Sequence, residues 1–404
     1  MTGQRRPRFI PAGSGVHAVT FMALFFAREA IAQSVAFTAH GTILHTGNSL
    51  SLSGQSSANG PGTTTSGHTL ISLDSQAVDS VPANAANPWF AGTTANYLAD
   101  GSAAVLNIPP QATILHAELI WGGSYNYGGE NLTSVIDASV VFDTPASGNG
   151  AISPDPAWSH TISQFASGGY TAAYYVRGAD VTALVASGGA GTYSVRGIPV
   201  TQSETINGLN GGGWALVVVA EFVQAPCRSL SVQSVGKWVD DNNTADATFS
   251  GFSTPASGAV GGRAVIGAIA GDASSAGDSL LISIPGTANY LPLSGPNNSP
   301  NNFFASQIND GEGMLDNSGT FGTRNHNAAL GIQTSGGRQG LDITAITLDS
   351  ASGEVATGQT ATTFRFATTG DAYVPLFVGF EVDSGTACPA PPGDGIFADN
   401  FEAG

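Results

Sequence analysis

The chain has few charged side chains, and positive ones are especially scarce. Charged residues make up 10% of the 404 residues, and 29 Asp and Glu outnumber 12 Lys and Arg. Lys237 is the only lysine. A formal net charge of −17 repels phosphate backbones. The composition therefore argues against nucleic acid as a partner.

The residues that favour long helices, namely Leu, Glu, Lys and Arg, are also scarce. Glycine is abundant, with 54 residues, whereas apolar residues still reach 42%, which is too high for a disordered chain. Small polar residues on strands and glycine in tight turns are typical of exported β-proteins. The sequence therefore predicts an all-β fold.

No apolar run beyond the N-terminus is long enough for a membrane helix, and the longest, 214–220, is typical of a buried strand. The N-terminus itself has a basic stretch at 5–8, an apolar stretch at 16–27 and the small-x-small pattern at 30–32. These features predict a signal peptide over 1–32 and a mature protein that is secreted or on the cell surface. A retained membrane anchor is the alternative.

Cysteine is nearly absent, with Cys227 and Cys388 as the only two. An even pair in an exported chain predicts a disulfide that ties the C-terminal end to the middle of the chain. Two free thiols are the alternative.

Segments of the first half of the chain resemble segments of the second half in the same order. The matched pairs are 114–123 with 263–272, 139–142 with 279–282, 180–184 with 342–346, 193–195 with 364–366, and 214–219 with 373–378. This internal repeat predicts two tandem β-sandwich, jelly-roll-like domains, over 33–225 and 226–384. Two unrelated sandwiches with ordinary strand patterning are the alternative.

The composition changes after Asp383. The proline-rich stretch 388–393 cannot enter a sheet and predicts a stiff linker. The acidic and aromatic stretch 394–402 resembles short terminal tags on exported proteins of some Gram-negative bacteria. We therefore interpret 385–404 as a linker and a sorting-like tail, with a frayed terminus as the alternative.

Catalytic motifs are weak or missing. Residues 277–280 spell the Gly-Asp-Ser-Leu motif of one esterase family, but Thr323 stands where the aspartate of its Asp-x-x-His element would precede His326. No His-Glu-x-x-His or other tight ligand spacing is present. The sequence therefore predicts a protein that is not an enzyme.

One loop is rich in acidic residues. Asp240, Asp241 and Asp246 lie close together in the sequence with Asn243, and hard cations prefer several oxygens on a short loop. We therefore consider these three aspartates a candidate calcium site. The spacing matches no EF-hand, and ordinary turn formation explains the same residues.

A second candidate site is aromatic. Tyr125 and Tyr127 alternate with polar residues between two Gly-Gly pairs, and Trp158 follows. Such residues favour a flat contact surface for a sugar or a protein. Aromatics that close the end of a sandwich are the alternative.

Several stretches in the core of the chain, roughly 100–383, resemble a family of secreted bacterial cell-surface proteins. They are 117–123, 179–182, 212–219, 301–306 and 369–375. In that family a β-rich module often precedes repeated, adhesin-like Ig domains, whereas this chain ends where such repeats would begin. The resemblance implies a surface or adhesion-type role and no reaction.

These patterns lead to a functional expectation. We expect a non-catalytic secreted or cell-surface protein with a role in adhesion or envelope structure, whose loops contact a cell-surface glycan or protein. A secreted carbohydrate-binding or carbohydrate-acting protein is the alternative.

Overall fold

The structure is a computed structural model that describes residues 33–53, 67–77, 89, 91–146, 148, 150–167, 170–202, 210–273, 275–326 and 338–390. All of these residues belong to one compact unit. The predicted signal peptide and most of the predicted tail lie outside the described residues.

The fold is all-β, as predicted. The strands are β1 (Ser34–Ser49), β2 (Ser51–Ser53), β3 (Gly67–Ile71), β4 (Thr93–Thr94), β5 (Gly101–Leu106), β6 (Thr113–Tyr127), β7 (Glu130–Asn131), β8 (Val140–Asp143), β9 (Gly150–Ile152), β10 (His160–Ser167), β11 (Tyr170–Asp180), β12 (Gly191–Arg196), β13 (Gly212–Glu221), β14 (Cys227–Ser234), β15 (Ala245–Ser250), β16 (Gly261–Ile269), β17 (Ser279–Ser283), β18 (Tyr290–Pro292), β19 (Arg338–Gln339), β20 (Asp342–Asp349), β21 (Ala361–Ala367) and β22 (Val374–Asp383). One α-helix, α1 (Thr182–Gly188), and three 3₁₀ turns, Tyr97–Ala99, Pro156–Trp158 and Gly322–Arg324, complete the described elements. No helix in the described part of the chain is long and apolar enough to cross a membrane.

The strands pair in an order that repeats. The largest sheet has ten strands and runs β10-β11-β6-β13-β1-β14-β22-β16-β20, with β7 paired to β6. Two four-stranded sheets have the orders β5-β12-β8-β9 and β15-β21-β17-β18. Strands β11, β6, β13 and β1 of the first half therefore match β20, β16, β22 and β14 of the second half, and the two smaller sheets match each other. A further small sheet, β19-β2-β3-β4, joins both halves.

Strand β1 connects the two halves of the large sheet. Its first part, Ser34 to His40, pairs with β14, and its second part, Gly41 to Ser49, pairs with β13. Glycine is required at the crossing point because a Cβ on Gly41 would lie 2.5 Å from the carbonyl oxygen of Ala220. The large sheet thus continues across the predicted domain boundary at 225/226.

Three apolar cores separate the sheets. In the first half, Trp121, Trp214 and Tyr193 fill the core beneath the smaller sheet. In the second half, Phe364 and Phe380 belong to the equivalent core.

The third core is central and contains residues of both halves, among them Val217 of β13 and Phe377 of β22. The two halves of the large sheet face each other here, since a Cβ on Gly122 would lie 3.2 Å from Cδ1 of Ile269. Four β layers therefore enclose three cores. Strands such as β13 are buried on both faces, which explains their continuous apolar sequence.

A buried charge network joins the strands near the β1 crossing. Glu381 of β22 is fully buried and accepts hydrogen bonds from the amide of Ile43 at 2.7 Å and from Thr42 Oγ1 at 2.9 Å. Its other oxygen, Oε1, lies 2.5 Å from Nη1 of Arg228 and 3.2 Å from Nε of Arg263. One carboxylate thus holds strands β1, β14, β16 and β22 together.

The predicted disulfide is confirmed. The sulfur atoms of Cys227 and Cys388 are bonded, with their Cα atoms 5.6 Å apart. Cys227 opens β14, and its carbonyl accepts a hydrogen bond from the amide of Ser384, directly after β22. The bridge therefore fastens the chain beyond β22 to the first strand of the second half.

Candidate functional site

A cavity of about 550 Å³ opens on the first half of the molecule. Its walls come from the chain after β3, from the 3₁₀ turn Tyr97–Ala99 and from the sheet that contains β8 and β12. We call it the Asp100 pocket, after the carboxylate at its floor. Its volume lies within the range that small-molecule sites occupy, about 300–1,000 Å³.

The rim of the Asp100 pocket is apolar. Leu98 is 72% exposed and Leu73 is 38% exposed, and both line the pocket together with the half-buried ring of Tyr97. The turn is held locally, because the side chain of Asn96 accepts a hydrogen bond from the amide of Leu98 at 3.0 Å. This hydrogen bond holds the turn so that the side chain of Leu98 stays exposed to solvent, where it can contact a ligand.

The floor of the pocket is a buried carboxylate. Asp100 is 1% exposed, and its Oδ1 accepts hydrogen bonds from the amides of Gly197 at 2.7 Å and Ile198 at 3.3 Å. These contacts follow from the register, since Arg196 of β12 pairs with Gly101 of β5. Burial raises the pKa of Asp100 well above its usual value, and the two amide hydrogen bonds oppose that effect.

The second oxygen of Asp100 is closed to solvent and unpaired. Oδ2 is buried and has no hydrogen-bond partner among the described residues. A buried oxygen in this state costs free energy, which a hydrogen-bond donor that reached it would recover. Arg196 lies on the same wall, and its guanidinium is paired with Asp143, with Nη2 3.0 Å from Oδ2. The pocket thus combines an apolar rim with a few polar groups that can orient a ligand.

The predicted aromatic contact surface is wrong, because its members are buried. Tyr125 is 6% exposed, Tyr127 1% and Trp158 3%. The Gly-flanked segment continues β6 instead of opening a loop. The ring of Tyr125 packs edge-on against Tyr175, with centroids 6.3 Å apart, and Trp158 stacks on His116 at 6.4 Å. These aromatics close the sandwich, as the alternative interpretation held.

The candidate calcium loop does not assemble a metal site. Asp246 lies in β15 directly opposite Arg365 of β21 and accepts two hydrogen bonds from it, at 2.8 and 2.7 Å. Asp240 closes a turn by accepting hydrogen bonds from the side chains of Trp238 and Asn243, both at 2.8 Å. Asp241 points to solvent. Within the described ranges no group of three or more His, Cys, Asp or Glu could hold a metal ion.

Three buried carboxyl groups lie outside the pocket and have raised pKa values. Burial raises the pKa of Glu118 in the central core to about 7 and that of Asp278 to about 7. It raises the pKa of Asp342 to about 8, although amides of the neighbouring loop, including that of Gln307, donate hydrogen bonds to this carboxyl. The folded protein therefore binds protons near neutral pH that the unfolded chain releases.

We expect the free energy of unfolding to fall as the pH rises from 6.5 to 8. A carboxyl pKa raised on folding gives stability that is complete below the unfolded pKa and is lost as pH rises through the folded pKa. Buried His45 and His326 act oppositely, since burial lowers both pKa values from 6.5 to about 4, but their effect ends near pH 6.5. Each proton that the folded protein binds and the unfolded chain does not changes the free energy of unfolding by about 1.4 kcal/mol per pH unit.

Urea denaturation at several pH values in this interval measures the slope. Asp342→Asn keeps an acceptor for the loop amides and removes the titrating group, so it should flatten the slope. Asp241→Asn, at an exposed position, is the control, and it should leave the slope unchanged. A stability that rises with pH in wild type would contradict the assignment.

The comparisons with known proteins do not indicate a function for this chain. No protein-family model and no curated protein matches the sequence. A solved structure of PNGase F, a glycosylasparaginase from Flavobacterium meningosepticum, matches with 11% identity over 73% of this chain and 93% of that chain. Its TM-score is 0.22, which is too low to carry an argument about fold or activity.

The Asp100 pocket has no signature in the sequence. Tyr97, Leu98 and Asp100 precede the first well-patterned strand, and no motif marks them. The only local signals are the capping Asn96 and the Asp-Gly pair at the start of β5. Neither signal indicates that the chain after β12 lies against Asp100.

Proposed function

We propose that this chain is an exported, non-catalytic binding protein that acts at the cell surface or in the envelope. The disulfide between Cys227 and Cys388 supports export, because such bonds persist in oxidising compartments. The β layers supply a rigid scaffold, and the contacts come from loops and turns at its surface. The observation that carries the proposal is the Asp100 pocket, with its exposed apolar rim and buried carboxylate.

Each half of the scaffold is, in this proposal, a jelly-roll sandwich. Eight strands in each half form two four-stranded sheets of matching order, such as β11-β6-β13-β1 over β5-β12-β8-β9. Eight strands in two packed sheets are the arrangement of a jelly roll. The two sandwiches share strand β1 at their junction and one central core.

The ligand we propose is a terminal sugar of a cell-surface glycan. A sugar ring has an apolar face that can pack on Tyr97 and Leu98, and its hydroxyls can bond to a carboxyl such as Asp100 and to Arg196. The apolar rim would supply affinity, and the buried polar floor would select the orientation. Binding, rather than turnover, is then the function of the site.

We expect Leu98→Asp and Tyr97→Ala each to weaken binding to glycan-bearing cell-surface preparations by about tenfold, a loss of about 1.4 kcal/mol. Leu98 is exposed, so the fold should survive its change, whereas Tyr97 is half-buried against the first-half core, so a thermal melt must show that Tyr97→Ala is folded. The dissociation constant is measured by surface plasmon resonance on immobilised preparations. Val223→Asp is the matched control, because Val223 is 63% exposed and does not line the pocket. Equal losses in control and pocket variants, or no loss in either, would place the binding surface elsewhere.

A further inference from the structure

The sequence contains three Asn-x-Ser/Thr triplets, the pattern of an acceptor site for N-linked glycosylation. They begin at Asn131, Asn242 and Asn297, and none has proline at its middle position. Such a triplet is an acceptor only where the asparagine lies at the surface of a secreted protein. The structure therefore decides which of the three asparagines can carry a sugar.

Burial excludes the triplet at Asn297. This residue is 5% exposed, and its Nδ2, the atom that would carry the sugar, donates a hydrogen bond to the carbonyl of Gly313 at 2.8 Å. A bulky sugar does not fit on a buried nitrogen that already has a partner. The asparagines of the other two triplets, Asn131 and Asn242, are exposed.

The triplet at Asn131 lies at the end of a hairpin that holds it at the surface. Strands β6 and β7 form this hairpin, in which Asn131 is paired with Asn126. The next residue anchors the chain, because the amide of Leu132 donates a hydrogen bond to the carbonyl of Tyr125 at 2.7 Å and its side chain packs against the first-half core. Asn131 and Thr133 are both exposed. The backbone is therefore fixed while both functional side chains of the triplet stay accessible.

The threonine of this triplet contacts the asparagine in a way that affects its reactivity. The amide of Thr133 donates a hydrogen bond to Oδ1 of Asn131 at 3.0 Å, and the threonine hydroxyl donates a second one at 2.6 Å. A carboxamide nitrogen is a poor nucleophile because its lone pair is shared with the carbonyl group. Two donors on Oδ1 stabilise the negative charge that this oxygen gains when a base takes a proton from Nδ2, and they thereby favour the nucleophilic form.

The turn alone does not require an asparagine at this position. Asp180 makes the same two hydrogen bonds with the amide and the hydroxyl of Thr182, at 2.8 and 2.5 Å. An aspartate in place of Asn131 would therefore close the turn as well, but it would offer no nitrogen to a sugar. The triplet at Asn242 is the opposite case, because no hydrogen bond joins Asn242 to Thr244 within the described ranges. Asn131 thus combines an exposed Nδ2 with donors already placed on Oδ1.

We propose that Asn131 is the acceptor of an N-linked glycan, which a transferase delivers from a lipid-linked sugar diphosphate. A lipid anchor keeps this donor at the membrane that an exported chain must cross. Nδ2 attacks the anomeric carbon of the sugar, and the new N–C bond replaces the C–O bond to the diphosphate. The electron pair of the broken bond leaves with the diphosphate, and the Nδ2 proton passes to a base of the transferase. Thr133 is the positioning residue, since its two donors act through Oδ1.

Peptide mapping by mass spectrometry tests the proposal on the full chain purified from the organism that produces it. We expect a glycan on Asn131 and none on Asn297. Thr133→Val removes the hydroxyl at nearly constant size and should abolish the glycan, whereas Thr133→Ser keeps the hydroxyl and should retain it. Thr133 is exposed, so the fold should survive both changes, and a thermal melt of each variant checks this.

An unmodified Asn131, or a glycan on Asn242 alone, would overturn the assignment, and a glycan that persists in Thr133→Val would overturn the role of the threonine. The inference rests on export, and the cysteines of the same sample test that part separately. A formed disulfide with an unmodified Asn131 would refute the acceptor site alone, whereas free thiols would refute export and the acceptor site together. Neither Asn131 nor Thr133 lines the Asp100 pocket, so Thr133→Val should bind cell-surface glycans as wild type does.

Discussion

Replacing Glu381 with alanine is expected to lower the free energy of unfolding by about 3–5 kcal/mol. The substitution removes the carboxylate shared by Arg228 and Arg263, whose side chains are only 22% and 18% exposed, and leaves Arg228 with the longer contact to Asp383 at 3.5 Å. It also leaves the amide of Ile43 without its acceptor at the point where β1 passes between the two halves of the large sheet. The loss arises mainly from the unpaired charges, and a smaller part comes from the cavity.

Chemical denaturation of wild type and variants gives the change in unfolding free energy. Glu221→Ala is the matched control, because this glutamate ends β13, the strand that corresponds to β22, and is only partly buried. Its effect should be within about 0.5 kcal/mol. A similar, small loss in Glu381→Ala would show that the charge network does not hold the junction.

Removal of the disulfide is expected to have an effect of comparable size. The bridge closes a loop with a sequence separation of 161 residues. Its absence increases the entropy of the unfolded chain, and in the chain-entropy model the double variant Cys227→Ser/Cys388→Ser loses up to about 5 kcal/mol. The bridge joins the start of β14 to the chain just beyond β22. The two strands are paired neighbours in the folded state, so they need no rearrangement when the bridge is removed.

The variant is compared with wild type under oxidising and reducing conditions, with the unfolding free energy as the readout. The unfolding free energy of wild type should fall on reduction, and that of the double serine variant should not change. A wild-type protein whose stability does not change on reduction would contradict the expected role of the bridge.

The internal repeat was largely predictable from the sequence. Four of the five matched segment pairs occupy corresponding positions in the two halves, for example 193–195 in β12 and 364–366 in β21. The fifth pair is wrong, because Asp180 ends β11 and a helix follows it, whereas Asp342 begins β20. A short Thr-Ala-rich run is compatible with either structure, and tertiary context selects one.

The errors at the candidate sites have a common cause. A Gly-flanked Tyr-Asn-Tyr segment is typical of a loop, but pairing with β11 continues the strand through Asn126. The aspartate at 246 looks like part of an acidic turn until the register places Arg365 across from it. The Asp100 pocket likewise depends on the pairing of β5 with β12. Cross-strand partners of this kind are distant in sequence, so local patterns do not reveal them.

The most direct test of the account is to incubate the purified protein with a panel of polysaccharides and cell-surface preparations. Bound protein and released product are measured in the same samples. The account predicts saturable binding to at least one glycan, weakened by Leu98→Asp, with no product released over time. Release of a sugar, an oligosaccharide or a deglycosylated acceptor would contradict it, and so would the absence of binding across the panel.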